Sequence, residues 1–251
     1  MTAYHGGKQR LGKQLSEIIV DTSLDIAEEE DFDIVGYCEP FCGMLGVYKH
    51  IPELFEDYDD LEYLAGDGNG SVIKMWKAAQ KGWKPPTTCS EKKFKDLMYS
   101  KGESAIKGYI GHQYSFGGQW FKGYAPKYGK NINSSKASKN VVEISNTLKN
   151  VKFCKGGYEQ FNFLKGYVIY CDPPYNNSKS YYNINGESSE DFDSTIFWDW
   201  CREMSKYNII FISNYKAPRG ADLIFKTDYK LTGDKKLIGK NNKRVEKLYL
   251  L

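Results

Sequence analysis

Tyr167-Val168-Ile169-Tyr170-Cys171 is an unbroken apolar run that stops at Asp172-Pro173-Pro174-Tyr175. A strand with no polar alternation fits a parallel sheet covered on both faces, because neither side of it meets water. The two prolines then end it. They fix φ, remove two N–H donors and hold the residues before them extended. The Asp172 carboxylate and the carbonyls beside it therefore stand at the carboxyl edge of a sheet, where open α/β folds hold their ligands.

The rest of the chain alternates strand and helix around that element. Ile34–Cys38 reads as a strand that ends in Glu39-Pro40-Phe41-Cys42-Gly43, with a helix beginning over Leu45–His50. Tyr63–Gly66 is a second short strand, ending at Asp67. Asn69–Lys81 follows as a helix, with apolar residues at 72, 73, 75, 76 and 79. Phe192–Ser205 reads as a helix and Asn208–Ser213 as the next strand. Leu223–Tyr229 and Val245–Leu250 read as an antiparallel hairpin at the sheet edge. The expected fold is α/β and Rossmann-like: a mixed, mostly parallel sheet with that hairpin. Residues 85–150 are rich in Gly, Ser, Asn, Lys and Tyr and show no strong strand before Val151-Lys152-Phe153-Cys154. They read as an insertion that divides one domain into 1–84 and 151–251.

Composition narrows the classes. With 251 residues, 41% of them hydrophobic and 27% charged, the chain can bury a sizeable core and is no disordered tail. No apolar stretch approaches the roughly 20 residues that cross a bilayer, and the first residues carry no secretory h-region. The expected compartment is the cytoplasm or nucleoid. The six cysteines form no Cys-x-x-Cys pair and there are only three histidines, so a zinc ribbon or other metal site is not expected. The cysteines read as reduced core thiols.

The net charge of +3 hides a strong asymmetry, with 16 acidic and 4 basic residues in 1–70 against 5 and 14 in 90–165. From Ser104 to Val142 there are six lysines and no carboxylate. Such a run is often only a solvated face, but a polyanion can dock on it.

The corner after Cys171 suits methylation of a planar exocyclic amine. Such an amine delocalises its lone pair into the ring and attacks poorly until acceptors hold its N–H groups and favour a tetrahedral nitrogen. Asp172 offers one acceptor and the Pro173 carbonyl another, preorganised by the two prolines. Tyr175 offers a face for the ring to stack on. Glu39–Gly43 is a strand-end loop that lets a nucleoside approach the backbone at Gly43. Alone, such a loop is more often simply a turn. Asp67, about 24 residues after Gly43's loop begins to close, stands near the spacing at which nucleotide-binding βαβ units carry a ribose acceptor. His5-Gly6-Gly7-Lys8 lacks the full phosphate-loop spacing, which argues against nucleotide hydrolysis and leaves His5 structural.

Together these residues resemble the Dam-like DNA adenine methyltransferases that use S-adenosylmethionine, especially their compact phage and plasmid members. Tyr4-His5-Gly6-Gly7-Lys8-Gln9-Arg10-Leu11 resembles the family's N-terminal cofactor motif and Glu39–Gly43 its methionine-proximal loop. Asp67 falls at its ribose acid, and Asp172–Tyr175 match its Asp-Pro-Pro-Tyr motif in full. Ser115–Tyr124, Ser213-Asn214-Tyr215 and Arg244–Leu248 resemble stretches of the phage-type members. The resemblance implies a methyltransferase fold with residues 85–150 as the target-recognition region. It implies catalysis by Asp172, Pro173, Pro174 and Tyr175, and cofactor contacts from Tyr4, Lys8, Pro40, Phe41, Gly43, Asp67, Tyr158 and Asp172. Double-stranded DNA is the implied partner, with Lys122, Lys127, Lys130, Lys136 and Lys139 on phosphates and Gln119, Trp120 and Asn131 as base readers. The same corner would serve a cytosine N4 or an RNA adenine methyltransferase, and an inert nucleic-acid-binding module remains a reading from another class.

Overall fold

The computed structural model describes residues 4, 6–58, 60–129, 132–174, 192–216, 220–230 and 243–251. The strands are β1 (Gly36–Glu39), β2 (Glu62–Asp67), β3 (Lys152–Lys155), β4 (Tyr167–Cys171), β5 (Ile209–Ser213), β6 (Asp222–Lys230) and β7 (Lys243–Leu250). They form one seven-stranded sheet in the order β3-β2-β1-β4-β5-β7-β6. The pairings through β5 are parallel, with Cys38 opposite both Leu64 and Ile169, and Ile169 opposite Ile210. β7 runs against both its neighbours, so the tail forms the expected antiparallel hairpin, with its second strand tucked between β5 and β6.

The uninterrupted apolar character of β4 is explained by burial on two sides. Val168 and Tyr170 belong to one hydrophobic core and Tyr167, Ile169 and Cys171 to the other. The first core is covered by α1 (Gly12–Glu30), α3 (Gly70–Gln80), α5 (Ala105–Gln113) and α6 (Ser134–Thr147), and the second by α7 (Ser194–Met204). Residues 85–150 build α4 (Glu91–Tyr99), α5 and α6. Their Phe94, Tyr109, Ile110 and Val141 share the core that holds Trp76 of α3. Both ends of this stretch are tied down: Ser138 Oγ donates to the Pro85 carbonyl at 2.6 Å, and Gln80 Nε2 to those of Leu148 and Val151 at 2.7 and 3.0 Å.

The helix expected from Leu45 does not form there. Leu45 has a positive φ of 53°, and the chain turns through a 3₁₀ segment (Tyr48–His50) into the short α2 (Ile51–Leu54), opened by Pro52. The cause is crowding by the N-terminal segment. A Cβ on Gly12 would come within 2.0 Å of the Gly46 carbonyl oxygen, and one on Gly46 within 3.1 Å of the Lys8 backbone. Among the described residues no helix is long and apolar enough to cross a membrane. All six cysteines are free, four of them buried.

Candidate active site

The strand ends of β1, β2 and β4 converge on a cavity of about 460 Å³, within the usual range for a small-molecule or cofactor site. It adjoins the point between β1 and β4 where the sheet reverses its order of addition, the place where open α/β sheets bind ligands.

The loop after β1 forms its floor. Cys42 N–H donates to the Gly66 carbonyl at 2.8 Å, Gly43 N–H to Asp67 Oδ2 at 3.0 Å, and Trp76 Nε1 to the Gly43 carbonyl at 2.9 Å. Gly43 has a φ of 44°, and a Cβ there would lie 2.8 Å from the Tyr4 ring, so only glycine fits. Tyr4 continues into the wall through His112, whose ring centroid is 4.5 Å away, and His112 packs on Trp120 at 5.0 Å.

Asp67, at the end of β2, is 6% exposed. Its second oxygen accepts from Asn69 N–H at 2.7 Å. Burial raises its pKa from 3.8 to about 6, against the two backbone hydrogen bonds that lower it. Such a carboxylate has been stripped of water and is held by two donors, so further hydroxyl donors would stabilise its charge. Phe41, Tyr158 and Phe192 bring aromatic faces to the same cavity, with centroids 5.9–6.3 Å apart.

At the other end stands Asp172, one residue beyond β4. Lys8 Nζ donates to its Oδ1 at 2.8 Å while the carboxylate keeps an opening to the cavity, with Pro173 and Pro174 beside it. Burial pushes the Glu39 carboxyl well above the usual range, the Tyr37 hydroxyl at 2.8 Å pulls it back, and the charge of Asp172 adds to the rise.

Every residue expected at the cofactor lines this one cavity: Tyr4, Lys8, Pro40, Phe41, Gly43, Asp67, Tyr158 and Asp172. Pro173 and Pro174 line it too; Tyr175 lies outside the described residues. Gln119 and Trp120, expected as base readers, also line it, and Trp120 is 9% exposed, wedged against Gly111 and Phe121. The lysines are elsewhere. Lys122 and Lys127 border a second hollow of about 320 Å³ together with Phe94, Phe121 and Tyr124, and Lys136 and Lys139 lie exposed on α6. Lys127 pairs with Glu91 and Lys139 with Glu143. Lys130 and Asn131 are outside the described residues. Met44, His112, Glu159 and Phe192 line the cavity without having been expected there, and Glu39, placed only as part of its loop, lines it as well. Glu39 had a readable sign, an acid at a strand end directly before Pro40. Among the described residues no group of three His, Cys, Asp or Glu side chains can hold a metal.

The family model described as D12 class N6 adenine-specific DNA methyltransferase matches residues 105–244. That span, more than half of the chain, runs from the start of α5 into β7 and contains the Asp172 corner. No curated protein matches the chain.

Proposed function

The chain belongs to the D12 class N6 adenine-specific DNA methyltransferase family, and we propose that it binds S-adenosylmethionine in the 460 Å³ cavity and methylates N6 of an adenine swung out of duplex DNA. The observation that carries this reading is the joining of two halves in one pocket. The Asp172 corner lies inside the family match, while Tyr4, Gly43 and Asp67 lie outside it and reach the same cavity.

The residues present fit the cofactor. Asp67 would accept the ribose hydroxyls; Phe41, Tyr158 and Phe192 would cover the adenine; Gly43 lets the nucleoside lie against the backbone. S-adenosylmethionine supplies an electrophilic methyl carbon on a sulfonium. The chain's own residues prepare the acceptor. Asp172 and the Pro173 carbonyl accept the two amino N–H groups, which returns the lone pair to N6. With the cofactor bound, that pair would be aimed at the methyl carbon it supplies, the C–S electrons would stay on the departing sulfur, and the proton shed by N6 would pass to water. Swinging the base out costs a few kcal/mol, which stacking on Tyr175 and phosphate contacts from the lysines offset.

The test is Asp172→Ala. Transfer of labelled methyl to DNA should fall by at least about 10²–10³-fold, the loss typical for a preorganised electrostatic group, while the fold stays intact and most of the cofactor affinity is kept. Normal turnover would overturn the assignment. Nucleoside analysis of the treated DNA should yield N6-methyladenine, and N4-methylcytosine, or methylation of RNA alone, would replace the substrate reading.

A further inference from the structure

β7 runs antiparallel to β5 and therefore comes in from the carboxyl edge of the sheet, where the catalytic corner lies. Glu246, Leu248 and Leu250 share one of its faces, the face on which β4 shows Val168, Tyr170 and Asp172. Leu248 and Tyr170 are core residues of that face. Glu246, only 3% exposed, is a carboxylate placed where the pattern calls for a hydrophobe. Its Oε1 lies 3.5 Å from Lys8 Nζ, the same ammonium that donates to Asp172 at 2.8 Å. A buried carboxylate is costly to keep unless it serves a partner.

We propose that Glu246 is a positioning residue for methyl transfer, a second carboxylate that shares the Lys8 ammonium so that Asp172 keeps the negative charge with which it accepts the N–H of the target base. The inference rests on the reading of Asp172 given above. Two ionised carboxylates against one ammonium leave these three groups at a net charge of −1. Were Lys8 committed to Asp172 alone, the pair would be neutral, and Asp172 a weaker acceptor for the amino group it must polarise. Glu246 also fixes the side from which Lys8 approaches. Lys8 takes Oδ1 of Asp172, and the acid remains 19% exposed toward the cavity.

The groups facing Glu246 are Lys8 from the N-terminal segment, Asp172 and Tyr170 from the β4 end, Ser213 from β5 and Thr227 opposite it on β6. Ser213 also meets the Tyr170 hydroxyl at 2.9 Å. Burial raises the Glu246 pKa, Lys8 lowers it and the charge of Asp172 raises it again. Protonating Glu246 would hand Lys8 to Asp172, so the transfer rate should fall on the acid side as Glu246 gains its proton.

The experiment measures single-turnover methyl transfer at saturating DNA and S-adenosylmethionine across pH, with cofactor Kd and melting temperature alongside. Glu246→Gln should slow transfer by roughly 10- to 100-fold, as a misplaced reacting group does, leave Kd within a few-fold, and lose the acid limb of the wild-type profile. A wild-type rate and profile in Glu246→Gln, with Asp172→Ala inactive, would overturn this inference and spare the reading of Asp172. Full activity in Asp172→Ala would sink that reading first. Should Glu246→Gln not fold, Glu246→Asp keeps the charge and carries the test, because its acid limb should move with the new carboxylate. An unmoved limb would overturn the proposal.

Discussion

Asp67 spends part of its hydrogen-bonding capacity on the backbone of Gly43 and Asn69, and its pKa of about 6 sets a pH dependence with a definite sign. The folded state holds its proton more tightly than the unfolded chain, whose value is near 3.8. The stability it contributes is present at low pH and is lost as pH rises from about 4 to about 6. Ligand binding would run the other way, since the ribose hydroxyls of the proposed cofactor would donate to the ionised form. Cofactor affinity should hold above pH 6 and weaken below it by up to about tenfold per unit. Calorimetric titration from pH 7.5 to 5 measures this, and Asp67→Asn should bind weakly with a flat profile. A steep profile that survives in Asp67→Asn would assign the proton to another group, such as Glu39. At Gly43 the expectation is steric: Gly43→Ala should cost roughly 1–3 kcal/mol of stability for its strained backbone and abolish cofactor binding, because the methyl would displace Tyr4. Tyr175→Phe should be mild and Tyr175→Ala severe in transfer assays, as stacking needs the ring and not the hydroxyl.

At the scale of elements, the short segment after α5 does two jobs. Gln119 and Trp120 line the cavity, while Lys122, two residues on, borders the outer hollow beside Lys127. Replacing Lys122, Lys127, Lys136 or Lys139 by Ala should each flatten the slope of log affinity against log salt by somewhat under about one unit if the lysine meets phosphate; an unchanged slope would leave that lysine a surface residue. Periodicity made most elements readable. Asn69 caps α3 by accepting from Ser71 N–H, Asp193 caps α7, and β4 stands where its apolar run ends. The helix placed at Leu45–His50 failed because its backbone is shaped by Gly12, Gly46 and the Lys8 backbone, contacts between distant residues that no local pattern records. α1 went unread: Leu15, Ile19 and Val20 are its buried stripe, but the polar and acidic residues around them mask it. Asp67 and Asp172 could be found because each ends a strand. Glu246 fell inside the Arg244–Leu248 resemblance and the expected hairpin, but its place beside Lys8 depends on β7 pairing with β5, which no local pattern records.

Over the whole molecule, charge and architecture divide in the same direction. Asp21, Asp25, Glu28, Glu29 and Glu30 are exposed on α1 and Asp31, Asp33, Glu56, Asp57 and Asp60 on the loops beyond it, whereas the basic excess falls mostly between β2 and β3. DNA should be steered toward the second region, and the association rate should fall steeply with ionic strength. Neutralising Glu28, Glu29 and Glu30, which are exposed on α1, should change that rate far less than removing a phosphate-binding lysine. Stopped-flow measurement at two salt concentrations compares them. The corner that joins Lys8, Asp172 and Glu246 draws on residues 164 positions apart and on the strand threaded in last between β5 and β6. A chain emerging from the ribosome therefore carries the whole cofactor floor long before it carries a working acceptor. The full rate of DNA modification should await the pairing of β7 between β5 and β6.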